Sequence, residues 1–89
     1  MSTTTISNIS ITPDGPKPPA EIKVTVTADI ENTGGKTPQA YFPAQSMGTP
    51  MTNSSGSTWT ASDTEMYDSG EKTIKIECNG VHASKNFKP

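Results

Sequence analysis

The sequence predicts an all-β protein, an antiparallel β-sandwich of about seven strands with no disulfide, and three observations carry that reading. Ile22, Val24, Val26, Ala28 and Ile30 alternate with Lys23, Thr25, Thr27 and Asp29, the period-two pattern of a strand with one buried face. Asn79-Gly80 separates two further alternating runs, and this dipeptide is the strongest short hairpin signal because both turn positions take positive φ. The composition holds 14 Thr and 10 Ser but no Leu and no Arg, which suits strands and argues against a helical bundle. At 89 residues the chain has room for one modest core and not two.

The same counts exclude several function classes. No apolar run approaches the roughly 18–20 residues of a membrane helix. One Cys cannot form an internal disulfide. The net charge is −2 and every cation is a Lys, so no basic surface for nucleic acid is expected. Residues 1–5 lack the charged and apolar regions of a signal peptide. We read the chain as one module excised from a longer protein, with Met1 added for expression. Its Ser/Thr-rich, Arg-free composition fits an extracellular or cell-surface setting, and a cytoplasmic or phage-structural module would have a similar one.

Taken in order, residues 6–12 form a first strand with Ile9 and Ile11 inward, closed by Pro13-Asp14-Gly15. Pro16, Pro18 and Pro19 make a rigid connection, because proline cannot donate to a ladder. Residues 21–31 form the clearest strand, followed by a turn at Gly34-Gly35. Ala40, Tyr41 and Phe42 form a short strand ended by Pro43, and parity turns Tyr41 outward. Met51 belongs to a short edge strand after Pro50, and the 47–51 region covers one end of the core. Residues 53–57 read as a loop and 58–62 as a strand with Trp59 and Ala61 inward. Residues 63–67 are open to a helical turn, and Asp68-Ser69-Gly70 is a turn. The closing hairpin should set Cys78 opposite Val81, Glu77 opposite His82 and Ile76 opposite Ala83. Lys85 falls on the inner parity beyond it, where its stem can snorkel out. The expected core is Ile9, Ile11, Ile22, Val24, Val26, Ala28, Phe42, Trp59, Ile74, Ile76, Cys78, Val81 and Ala83.

These residues resemble a known group. Ile6-Ser7-Asn8-Ile9-Ser10-Ile11-Thr12-Pro13, a Pro-rich turn and then Glu21-Ile22-Lys23-Val24-Thr25-Val26-Thr27-Ala28 look like the opening of immunoglobulin-like modules in prokaryotic surface proteins. Ile30-Glu31-Asn32-Thr33-Gly34-Gly35 is similar to a strand end of adhesion-type repeats. Residues 68–80 resemble the penultimate strand and hairpin of immunoglobulin-like and fibronectin type III-like domains. The chain departs from antibody-type domains in three ways. It has no second Cys, no Tyr two or four residues before Cys78, and its Trp comes late. The resemblance implies a disulfide-free module serving as spacer, adhesion unit or accessory binding domain, by analogy of fold.

No catalytic constellation emerges. Cys78 and His82 are the one Cys and one His, and the hairpin register points them to opposite faces, whereas a catalytic pair needs hydrogen-bond reach. Asp29 with Glu31, and Asp63 with Glu65, read as solvated strand faces. Asp14, Asp29, Glu31, Asn32, Asp63, Asp68 and Glu71 are of the type that calcium takes, but no calcium loop orders them. No metal site and no cofactor are therefore assigned, calcium being the one ion with ligands of the right kind. Gly34-Gly35-Lys36-Thr37 lacks the upstream glycine of a phosphate loop and is read as a turn. Tyr41, Tyr67 and Trp59 are candidates for sugar stacking, with Trp59 assigned to the core and Tyr41 kept as the ligand-binding residue. The expected function is a non-catalytic structural, spacer or adhesion module of a surface or secreted protein. The alternative is a carbohydrate-binding accessory module of an extracellular enzyme. Expected partners are other domains of the parent chain and a protein or polysaccharide ligand.

Overall fold

The computed structural model describes residues 3–14, 20–43, 47–67 and 70–88. The described residues form eight strands and no helix. They are β1 (Thr5–Asp14), β2 (Ala20–Glu31), β3 (Gln39–Tyr41), β4 (Thr49–Pro50), β5 (Thr52–Ser55), β6 (Thr58–Tyr67), β7 (Lys72–Cys78) and β8 (Val81–Phe87). They make two four-stranded sheets, ordered β1-β2-β6-β5 and β4-β3-β7-β8, with every pairing antiparallel. Eight strands stand where about seven were expected, because residues 49–55 supply two short ones.

The alternation of β2 is the spine of the core. Val24, Val26, Ala28 and Ile30 are buried in the first sheet, and Ala40, Ile74, Ile76, Cys78 and Phe87 face them from the second. Met51 and Phe42 complete the cluster. Met51 sits between β4 and β5, where the chain crosses from one sheet to the other, and its amide donates to the Pro38 carbonyl at 2.9 Å. Part of the 47–51 expectation therefore holds: Met51 plugs the core, while Met47 is 77% exposed.

Several expectations need correction. Val81 and Ala83 are half-buried, because β8 is the edge of its sheet and has a neighbour on one side. Ile9, Ile11 and Trp59 are also partly buried, packed against the core rather than within it. Ile30, Ala40, Met51, Ala61 and Phe87 take the buried places instead. Residues 53–57 are not a loop: β5 runs to Ser55 and turns at Gly56, where φ is +54°. Residues 63–67 are strand and not a helical turn, because β6 continues in register along the start of β2, from Asp63 opposite Val24 to Tyr67 opposite Ala20. A helical turn there would strip those β2 groups of their ladder partners. The Ile22 side chain, Gly15 to Pro19 and Asp68-Ser69 lie outside the described residues.

One feature of β1 reconciles an odd pattern. Ile6 and Ile11 have opposite parity, yet Ile6 lies opposite Ile30 and Ile11 opposite Val26, both inward residues. A β-bulge between Ser7 and Ser10 absorbs one extra residue. Asn8 occupies the bulge with φ +52°, and its amide nitrogen donates to Asp29 Oδ2 at 2.8 Å. Asn tolerates this left-handed conformation better than most side chains.

Candidate functional site

Three turns gather at one end of the molecule: the 32–38 segment, the Gly56-Ser57 turn and the Asn79-Gly80 turn. Asn79 and Gly80 have φ +51° and +81°, as a type I′ hairpin requires. The hairpin register is the one the two-residue loop dictates, with Cys78 opposite Val81, Glu77 opposite His82 and Ile76 opposite Ala83. Glu77 Oε2 accepts the Gly80 amide at 2.9 Å and braces the turn.

A buried hydroxyl ties this end together. Thr4 is 5% exposed. Its Oγ1 donates to the Asn32 carbonyl and accepts Asn79 Nδ2 at 3.1 Å. Asn32 Nδ2 in turn donates to the Thr3 carbonyl at 3.1 Å. The Cys78 thiol points to the Thr33 carbonyl at 3.9 Å. Burial, with a smaller contribution from the Glu77 charge, pushes the Cys78 thiol above its usual range. Cys78 is fully buried and His82 is exposed, so the two stand on opposite faces of the hairpin.

Two open grooves flank the three turns. The first, of about 420 Å³, runs between the end of β2 and the β5–β6 turn and is lined by Ile30, Glu31, Asn32, Asn53, Ser57 and Trp59 among others. The second, of about 450 Å³, lies on the outer face of the other sheet, between Lys36, Gln39, Glu77 and Asn79.

Tyr41 stands on that same outer face, two residues from Gln39 and opposite Lys75. It is half-buried, and Lys75 Nζ sits over its ring at 5.3 Å from the centroid, a cation–π arrangement. The Gly48 backbone abuts the ring, since a Cβ there would come within 3.1 Å of Tyr41 Cε2. A sugar stacking on Tyr41 would thus compete with Lys75 for one face. The Tyr67 side chain lies outside the described residues.

No family model, curated protein or solved structure matches this chain. Its chemistry therefore rests on its own geometry. Asp29 is held by Asn8 and by Thr58 Oγ1, at 3.2 Å from Asp29 Oδ1. Among the described residues no three His, Cys, Asp or Glu side chains are placed to hold a metal ion. Asp14 and Asp68, two of the possible calcium ligands, have side chains outside the described residues. Sequence reasoning assigned Trp59 to the core and missed its groove. The signal that could have located it is Asn53, a small polar residue that lies opposite Trp59 on the edge strand β5.

Proposed function

We propose that this chain is an immunoglobulin-like, non-catalytic module that spaces or presents neighbouring domains of a longer surface or secreted protein. The observation that carries this reading is the strand order. The sequence β1-β2-β6-β5 in one sheet and β4-β3-β7-β8 in the other corresponds to the A-B-E-D and C′-C-F-G orders of immunoglobulin sandwiches. Chain direction supports the spacer role. The first strand enters beside the three turns, through the Thr4 network, and β8 carries the chain away from them, Val81 lying opposite Cys78 and Phe87 opposite Lys72. Such modules can be joined head to tail without reversing the chain. The separation of Cys78 from His82 and the use of Asp29 in the bulge favour a non-catalytic role.

A two-copy fusion measured by small-angle scattering tests the reading. An extended particle, with a maximum dimension well beyond the 46 Å long axis of one module, is expected. A pair folded back side by side, no longer than one copy, would sink the spacer role.

A further inference from the structure

We infer that the groove beside Trp59 is a subsite for a neutral saccharide, a role that goes beyond the spacer reading and does not depend on it. Trp59 has inward parity, lying opposite the buried Ala28 and two residues from the buried Ala61. It is nevertheless only half-buried: its partner on β5, the edge strand of the sheet, is the small and exposed Asn53. The exposed part of the indole lines the groove of about 420 Å³, a volume within the range of small-molecule sites.

The rim decides the ligand. Asn53 Nδ2 donates to the carbonyls of Gly56 at 2.9 Å and Thr58 at 3.0 Å. Asn32 Nδ2 donates to Thr3. Both donors of the Asn53 amide are thus committed to the backbone and one of the Asn32 amide, so the groove offers two side-chain amide oxygens and one N–H to a ligand. Glu31, exposed at the end of β2, adds a carboxylate. The rim is therefore rich in acceptors, and among the described residues that line it the one ionic group, Glu31, is negative. Phosphate and carboxylate ligands are disfavoured by that charge. A simple cation engages the carboxylate and the indole but makes no use of the amide oxygens, which stay with water. A pyranose has several hydroxyl donors around its edge and an apolar C–H face for the indole, so it satisfies all of them at once.

The walls are also set before any ligand arrives. The Ile30 amide donates to the Ser57 carbonyl at 2.8 Å, which ties β2 to the β5–β6 turn. The Thr4–Asn32–Asn79 network fixes the opposite side. A preformed groove avoids the ordering cost that weakens small-ligand binding.

Trp59 is the sole tryptophan of the chain, so its fluorescence reports on this groove alone. Cellohexaose, chitohexaose and mannohexaose would be titrated in parallel, with choline as the cationic control. A saturable change in emission for at least one oligosaccharide is expected, with a Kd of order 1 mM. Glu31→Gln should raise that Kd about tenfold, and amide shifts in a ¹⁵N–¹H spectrum should centre on Glu31, Asn32 and Ser57. Trp59→Phe, shown folded by the same spectrum, should abolish those shifts. The inference falls if no oligosaccharide moves the emission at ~10 mM. It also falls if choline alone does so, or if sugar-induced shifts centre on Tyr41 and Lys75 instead.

Discussion

Thr4 shows how one hydroxyl can organise an end of the molecule. It accepts from Asn79 and donates to the Asn32 carbonyl, so replacing it leaves two polar groups without a partner in a nearly buried place. Thr4→Val is expected to cost about 2 kcal/mol in urea unfolding, since an orphaned buried polar group costs more than a hydrogen bond gains. A loss indistinguishable from zero would mean that water substitutes freely there. Cys78 gives a pH dependence of known sign. Its folded pKa is raised, so the native state holds the thiol proton while the unfolded chain releases it. Its contribution to stability is intact below the usual thiol pKa of about 8.5 and declines as pH rises beyond it. Wild type should therefore lose stability relative to Cys78→Ala on going from neutral pH to pH about 10. A constant difference across that range would contradict the burial argument. Thiol reagents should label Cys78 at neutral pH through opening of the fold, because the thiolate is the reactive form.

Single strands carry their own consequences. The β7–β8 hairpin depends on Gly80 at φ +81°, a conformation that L side chains rarely adopt. Gly80→Ala is expected to destabilise by about 1 kcal/mol or more, with hydrogen exchange rising first at the amides of β8. Protection of β8 unchanged from wild type would refute it. In β1 the bulge, and not the alternation alone, places Ile6, Ile9 and Ile11 against the core. Without the extra residue at Asn8, one set of isoleucines would turn to solvent, because a one-residue slip reverses every side chain. Gly48 supports Tyr41 from the chain before β4. Gly48→Ala would push a methyl to 3.0 Å from Gln39 Oε1 and 3.1 Å from Tyr41 Cε2. The Tyr41 ring resonances should shift while those of the β7–β8 turn stay in place, and an unmoved ring would show that its position does not depend on Gly48.

Over the whole molecule, each sheet edge carries a feature that discourages strand addition. The β1 edge has its bulge, and β4 is two residues long and ends in Pro50. The β5 edge is short and exposed throughout, with a register break between Asn53 and Ser55. The β8 edge places Lys85 opposite the buried Ile74, on the inner parity, where an added strand would have to cover a charge. The chain is therefore expected to be monomeric in sedimentation at concentrations used for spectroscopy. Lys85→Val should shift it toward dimers or aggregates. An unchanged sedimentation profile for Lys85→Val would show that the protein stays monomeric without that charge.

The sequence by itself determined the all-β class, the long β2 strand and the register of the closing hairpin. These are local properties: period-two alternation decides which face is wet, and Asn-Gly fixes a two-residue turn whatever surrounds it. Tyr41 on an outer face and Cys78 on an inner one followed from the same parity. Tertiary structure alone decided the rest. Residues 63–67 are strand because β2 offers them a ladder. Val81 and Ala83 are half-wet because β8 lies at an edge. Met51 is buried because the chain changes sheets there. The Trp59 groove was not legible for the same reason: parity states which way an indole points, but only the strand pairing sets the exposed Asn53 beside it at the edge of the sheet. Lys75 over Tyr41 likewise joins residues 34 positions apart, through a β3–β7 pairing that no local pattern encodes.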